Sequence, residues 1–410
     1  MSAGRSLSRS ALAVLVVSGT VFAASTESHS ASALSYRKVQ LSTEFFAEGG
    51  AFGDLDRDGH VDAIAGPFWY AGPDFVERHE LYPPKPFDPL GYSDNFSAFV
   101  HDFDGDGWPD VFVIGFPGQE AFWLENPRDR AGTWRRHFAY APVDNESPTF
   151  GPLLAADRPV LVCMSNGRMG YAKSDARDPT RPWTFHPVTE TRTWNRFTHG
   201  LGFGDVNADG RADLLASEGW WEQPASLVND PVWIHHPASF GNGAHIHVLD
   251  VNADGLPDVI TSLNAHGYGL SWFEQVRGDD GAVSFREHPI LSKTEETVAG
   301  VQFSQLHAVT LADMDGDRVP DIVTGKRWWA HGPTKDPAPN ADPVLYAFLL
   351  RRTPGGEVSF APALIDRASG VGTQLVADDI NADGHPDLIT VNKRGTFLFL
   401  SQPSPAAPHP

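Results

Sequence analysis

Short apolar runs rich in β-branched and aromatic residues recur along the chain, each entered and left through a polar, Gly-containing turn. The stretch Asp102-Phe-Asp-Gly-Asp-Gly-Trp-Pro-Asp-Val-Phe-Val-Ile shows the pattern: an acidic turn, then a run suited to a strand. An apolar strand A precedes each acidic turn and strand B follows it. An aromatic strand C comes next, at Phe68-Trp-Tyr, Phe122-Trp-Leu, Trp220-Trp-Glu, Ser271-Trp-Phe, Trp328-Trp and Phe397-Leu-Phe. A fourth strand, D, follows at Phe75-Val-Glu-Arg-His, Thr133-Trp-Arg-Arg-His, Trp183-Thr-Phe-His, Val232-Trp-Ile-His, Ser284-Phe-Arg-Glu-His and Ser359-Phe-Ala-Pro. A unit of four antiparallel strands, repeated, predicts the blades of a β-propeller.

The acidic turns are six copies of Asp-x-[Asp/Asn]-x-Asp-[Gly/Arg]-x-x-Asp. Their ligand positions are Asp54, Asp56, Asp58 and Asp62; Asp102, Asp104, Asp106 and Asp110; Asp205, Asn207, Asp209 and Asp213; Asp250, Asn252, Asp254 and Asp258; Asp313, Asp315, Asp317 and Asp321; and Asp379, Asn381, Asp383 and Asp387. Oxygen ligands at alternate positions of a tight loop, closed by a carboxylate, suit a hard cation, so up to six structural Ca²⁺ sites are expected. A single acidic turn would pass for a solvated hairpin turn; six in one register do not. Arg318 replaces Gly in one copy, where weaker binding or none is expected. These loops hold 21 Asp, equal in size to the formal net charge of −21, so the acidity need not signal a cationic partner.

The interval from Asp102 to Asp205 is about twice the usual spacing, and inside it Thr149-Phe-Gly-Pro-Leu-Leu-Ala-Ala-Asp-Arg-Pro-Val-Leu-Val-Cys reads as strands A and B without an ion loop. The last unit lacks strand D, while Ser35-Tyr-Arg-Lys-Val-Gln-Leu is a D-like segment without a blade. The prediction is an all-β, seven-bladed propeller of four-stranded antiparallel blades over residues 35–401, with calcium-binding A–B loops, closed by the N-terminal strand. Residues 1–23 have the layout of a cleavable secretory signal, 24–34 read as a linker and 402–410 as a disordered Pro-rich tail. A secreted or periplasmic location follows. With Cys163 alone there is no internal disulfide, and no later run is long enough to insert in a membrane.

The loops and blades resemble the FG-GAP or VCBS type of secreted propeller. Gly66-Pro-Phe-Trp-Tyr-Ala-Gly-Pro, Ser262-Leu-Asn-Ala-His-Gly-Tyr-Gly-Leu-Ser-Trp-Phe-Glu-Gln, Phe303-Ser-Gln-Leu-His and Gly325-Lys-Arg-Trp-Trp-Ala-His-Gly resemble the propeller domain of aldos-2-ulose dehydratase. The resemblance implies removal of water from a keto sugar such as an aldosulose or anhydrofructose. Nothing here corresponds to the further C-terminal domains of the fungal family enzyme, so the implied activity stops at dehydration.

In a propeller, strand A lines the channel and the A–B turns share one face, leaving the other for function. Six residues before each loop's first Asp stand Glu48, Phe96, His199, Ala244, His307 and Thr373 at the free mouth, with His245 and His247 beside the fifth strand. His199, His245 and His307 are expected to hold Zn²⁺ or another divalent metal there, against the alternative that they only fill the channel. The B–C loops on that face bring His266 as base or acid, Lys326 and Arg327 as oxyanion or hydroxyl contacts, and Trp220 as a sugar platform. Trp123, Trp272 and Trp329 are assigned to packing between blades, and His79, His137, His186, His236 and His288 to structure in the outer strands. The expected partner is a small sugar or glycan, with no nucleic acid and the oligomeric state open. A non-catalytic glycan-binding or adhesion propeller and a polysaccharide lyase stay open beside the dehydratase.

Overall fold

The computed structural model describes residues 1, 34–130, 132–154, 158–353 and 355–402. The signal, most of the linker and nearly all of the Pro-rich tail expected from sequence lie outside these residues. Among the described residues the molecule is all-β, and no helix is long and apolar enough to cross a membrane.

Each four-stranded unit is an antiparallel meander. In the first, Gly50–Gly53 pairs with Asp62–Ala65, which pairs with Phe68–Tyr70, which pairs with Arg78–Glu80. The second starts with Ser97–His101 and ends in the long strand Arg135–Gly151, whose C-terminal half also starts the third. The fourth to seventh units start with Leu201–Gly204, His245–Leu249, Val309–Ala312 and Leu375–Asp378. In the seventh, the N-terminal strand Tyr36–Ser42 supplies the fourth position. It pairs antiparallel with Gly395–Ser401 from Tyr36↔Ser401 to Ser42↔Thr396, and Lys38 Nζ lies 2.8 Å from Asp366 Oδ2 of the sixth unit.

One expected strand is displaced. In the sixth unit the third strand is Leu345–Arg352, and Trp328 and Trp329 belong to the long loop before it. That loop holds Pro333, Pro337 and Pro343, which interrupt pairing, so the third strand starts only after them and the aromatic pair lies outside it.

The first strands of successive units adjoin one another. Phe99 meets Phe150 at 5.7 Å, Leu201 pairs in parallel with His245, and His247 Nε2 lies 2.8 Å from Val309 O. Thr373 N–H donates to Glu48 O at 2.9 Å, linking the seventh unit back to the first. Between units, the sheets bury apolar side chains against each other. Val111 and Val113 of the second pack on Ile64 and Trp69 of the first.

Two local devices repeat with the units. In five of them an aromatic of the third strand lies directly opposite a histidine of the fourth and stacks on it. These are Trp69–His79, Trp123–His137, Tyr171–His186, Trp220–His236 and Trp272–His288, with ring centroids 4.0 to 5.0 Å apart. Each histidine also reaches a carboxylate, as His137 Nε2 does Glu125 Oε2 at 2.7 Å, so the outer histidines tie strands together. The second device is the closing aspartate of every acidic loop. Asp258 accepts from Val251 N–H at 2.8 Å and from Gln275 N–H at 2.7 Å, bolting the loop to the third strand; Asp62, Asp110, Asp213, Asp321 and Asp387 do the same in their units. These carboxyls are buried, and burial pushes them up to about 6 or 7.

Candidate metal centre

Since the second strand of each unit runs back against the first, the start of the first and the end of the second lie at the same end of the unit, opposite the acidic loops. That end collects the chemically distinctive side chains. Arg327, from the loop after Asp321–Gly325, is fully buried there and its guanidinium pairs with Glu48. Arg327 Nη1 also donates to His307 Nε2 at 3.1 Å and stands 3.6 Å from Glu146 Oε2. Glu146 in turn lies 3.4 Å from His199 Nε2. The His266 ring is 4.8 Å from His199 and 4.7 Å from His307, so Glu146, His199, His266 and His307 face one common point, each with a ligating atom within 4.8 Å of the others.

Backbone geometry explains how four separate strands and loops meet so closely. Gln305 sits in the left-handed region at φ 63°, rare for a residue with a side chain. The turn lets its N–H donate to Gly267 O at 2.7 Å while its carbonyl accepts from Arg327 N–H and His307 N–H, both at 2.9 Å. One residue thus fixes the His266 loop, Arg327 and His307 to each other, and a strained position held by its surroundings is a common mark of a functional site. Glu146 is placed by its own N–H, which donates to Thr198 O at 2.9 Å.

Burial sets the electrostatics. It pushes His266 down to about 3, helped by the neighbouring His199, His331 and Arg327, and it lowers His307 well below the ordinary imidazole range, Arg327 adding to the effect. Burial would raise Glu146, but the hydrogen bond and charge of His199, with Arg327, outweigh it and hold the carboxyl below its usual value. Burial thus disfavours the charged form of His266 and His307, leaving each a ring-nitrogen lone pair. His266 Nδ1 and His307 Nδ1 are buried without a hydrogen-bond partner, and His199 Nε2 has Glu146 Oε2 as its near neighbour at 3.4 Å. Glu48 and Glu146 against one guanidinium leave a net negative charge at the point where they meet. Imidazole nitrogens, a carboxylate and a charge surplus fit a divalent transition metal; the one lone pair of His307 is on Nε2, which accepts from Arg327, so His307 would ligate by exchanging that hydrogen bond for the metal.

A second layer was not anticipated. His331, from the long loop of the sixth unit, stacks on His266 at 4.3 Å; its Nδ1 lies 2.9 Å from Asp336 Oδ1, and its side chain is 40% exposed. His266 Nδ1 is 3.8 Å from the same carboxylate oxygen.

Several expected site residues stand elsewhere. His245 does not join His199 and His307: it stands one residue past Ala244, and successive side chains of a strand point to opposite faces; its ring lies 6.5 Å from His247 and burial pushes it down to about 3. Lys326 does not face the opening. It is fully buried, its Nζ donates to Ser304 Oγ at 3.2 Å, and burial lowers it to about 8. Arg327, fully buried, turns its two Nη groups to His307 and Glu48, so it orders the centre from within instead of facing the mouth. Trp220 lies in the strand Gly219–Glu222, stacked on His236 and buried with Phe240, Val259 and Phe273, which makes it packing between the fourth and fifth units. Phe96 adjoins Arg327 at 5.8 Å and Thr373 donates to Phe96 O, so both stay at the mouth.

Glu146, missed from sequence, had a usable signal. Phe150-Gly-Pro152 matches Phe52-Gly-Asp54 and Phe203-Gly-Asp205, and six residues before Pro152 is Glu146. In that unit Pro152 stands where the others have the first aspartate, which hides the offset.

In the acidic loops, the first aspartate accepts backbone N–H groups four and five residues on, as Asp54 does from Asp58 and Gly59. The sixth position is left-handed throughout, including Arg318 at φ 70°. A Cβ added at Gly59, Gly210, Gly255 or Gly384 would meet nothing, so glycine is preferred there for its backbone alone. In the Arg318 copy, Arg351 pairs with Asp315 and lies 3.5 Å from Asp317. The carboxylates Asp54, Asp56 and Asp58, Asp102, Asp104 and Asp110, and Asp313, Asp315 and Asp321 approach one another closely enough to share an ion.

No family model matches this chain, and no curated protein does. Among solved structures it is similar to a protein from Lactobacillus plantarum (11% identity, 80% of this chain and 86% of the other, TM-score 0.43). An auxiliary nutrient binding protein from Bacteroides ovatus is similar at 9% identity over 76% and 70% of the two chains, TM-score 0.45. The rhamnogalacturonan lyase YesW is similar at 12% identity over 90% and 76%, TM-score 0.45.

Proposed function

We propose that this chain is an exported, calcium-stabilised seven-bladed propeller that eliminates water from a keto sugar at a divalent metal centre formed by Glu146, His199, His266 and His307. The observation that carries the reading is the meeting of three imidazoles and one carboxylate whose ligating atoms lie within 4.8 Å of one another. The propeller reading is supported by successive first strands that adjoin and lead back from Thr373 to Glu48, and by the N-terminal strand filling the seventh unit. The six acidic loops, three of them with converging carboxylates, support calcium.

When bound, a divalent metal supplies Lewis acidity that polarises a ketone and acidifies the C–H beside it. The protein's own groups do the rest. His331, oriented by Asp336, is the exposed imidazole placed to take that proton and return it to the departing hydroxyl. The C–H and C–O bonds break, a C=C bond forms, and water leaves. Arg327 keeps Glu48, Glu146 and His307 in place from beneath. Tyr92, which is exposed, offers ring surface for sugar C–H groups, and Lys393 lies over it at 4.5 Å.

Incubation with a panel of keto sugars should raise the ultraviolet absorbance of a conjugated enone. Saturable sugar binding without enone would replace this reading by a glycan-binding propeller, and fragmentation of a polymeric substrate would replace it by a polysaccharide lyase.

A further inference from the structure

A cavity opens toward the same end of the molecule as the histidine centre. It holds about 460 Å³ between the first and second units, beside Asp94, Gly115 and Phe116 from loops at that end. Its walls carry Tyr82, Phe116 and Trp134, and Asp94, Glu120 and Arg136 supply polar groups to the same space. Aromatic faces with a few convergent hydrogen-bonding groups are what a sugar ring selects. A comparable cavity between the fifth and sixth units reaches Asn252 of an acidic loop and has no such connection to the centre.

Charge narrows the ligand. Among the described lining residues Arg136 is the one cation, and it is already paired with Glu120. Asp94 adds a carboxylate, which burial holds above its usual range. A uronate would find no free cation and an unfavourable carboxylate; a neutral pyranose would find acceptors, donors and flat apolar faces.

The cavity is joined to the centre by rings. Phe116 lines it and lies 5.4 Å from Phe96, a buried ring 5.8 Å from the Arg327 guanidinium, so the cleft wall and the centre share one packed aromatic layer. Tyr92, 5.3 Å from Phe116, and Phe197, 6.0 Å from it, extend the aromatic surface, and both are exposed. We propose that the cleft lined by Tyr82, Phe116 and Trp134 is a subsite for a neutral pyranose, so that the substrate is a neutral oligosaccharide carrying the keto sugar at one end. The assignment of the keto end rests on the dehydratase reading; the cleft itself does not.

The test is binding of cellotriose, maltotriose and laminaritriose to the full chain, followed by saturation-transfer NMR and calorimetry, alongside trigalacturonate. At least one neutral trisaccharide should bind, trigalacturonate should not, and Phe116→Ala or Arg136→Gln should weaken the trisaccharide at least tenfold. His266→Ala should leave that binding intact, since the cleft is built without it. No binding of any neutral trisaccharide, preference for trigalacturonate, or equal loss in His266→Ala and none in Phe116→Ala would overturn the subsite. The two proposals fail separately. Enone from keto monosaccharides without trisaccharide binding removes the subsite alone, and trisaccharide binding at the cleft without enone from any keto sugar removes the dehydratase.

Discussion

Replacing Asp258 by Ala tests how the acidic loops are attached. Its carboxylate, fully buried, accepts from Val251 N–H and Gln275 N–H at 2.8 and 2.7 Å. Alanine leaves two buried N–H donors without partners, at about 1–3 kcal/mol each, so a loss of about 2–6 kcal/mol is expected. Asp258→Asn keeps one acceptor and turns an amide N–H₂ toward the other donor, so it should fall between Ala and the parent. The comparison is Asp254→Ala in the same loop, an exposed ligand position that accepts from Leu256 N–H at the turn. Urea unfolding of the three variants and the parent, with calcium and in chelator, separates the roles. Asp258→Ala should be destabilised in both conditions, whereas most of the cost of Asp254→Ala should disappear in chelator. A loss under about 1 kcal/mol for Asp258→Ala in chelator would refute the bolt.

Chelation itself should lower the melting temperature of the parent, because carboxylates gathered without an ion repel one another; an unchanged melt would remove calcium from the account. Deleting Tyr36–Ser42 leaves Gly395–Ser401 as an exposed edge and should cause aggregation or loss of stability, and a truncated chain as soluble and stable as the parent would contradict the pairing's importance. Burial pushes the Asp366 carboxyl up, but Lys38 and backbone donors outweigh it and hold it below the usual range. The stabilisation is therefore present above the ordinary Asp value and lost as pH falls through the lower folded value, so Lys38→Ala should cost up to about 1 kcal/mol at pH 6 and nothing once Asp366 is protonated. A cost independent of pH would point to lost packing. Arg327→Met strands Glu48 and Glu146 in a buried site and should cost about 3–5 kcal/mol, read from the urea midpoint; a near-neutral effect would show that the guanidinium is not what balances them.

The all-β architecture was legible because period and punctuation repeat: acidic turn, β-branched run, aromatic strand. The N-terminal strand was legible from what the last unit lacked. The sixth unit misled, since Trp328 and Trp329 imitate an aromatic strand while the Pro residues after them set a loop. The site was legible in part for the same reason that the strands were. His199 and His307 stand at a fixed offset from repeated loops, so counting finds them. Glu146 stands at that offset too, but its unit had lost the aspartate from which to count. Lys326, Arg327 and Trp220 were placed on the right loops or beside them, yet sequence does not say which way a side chain turns. Lys326 and Arg327 turn inward to Ser304 and Glu48, and Trp220 turns between units. The His331–Asp336 pair had no repeat to announce it, because it lies in an insertion present in one unit.

The central claim is that Glu146, His199, His266 and His307 hold one divalent metal. Elemental analysis after dialysis against Zn²⁺ with excess Ca²⁺, on the parent and on Glu146→Ala, His199→Ala, His266→Ala and His245→Ala, tests it directly. The account predicts one tightly held transition metal in the parent and in His245→Ala, and its loss in the other three with calcium content unchanged. No transition metal in the parent, or its retention in all four variants, would contradict the account.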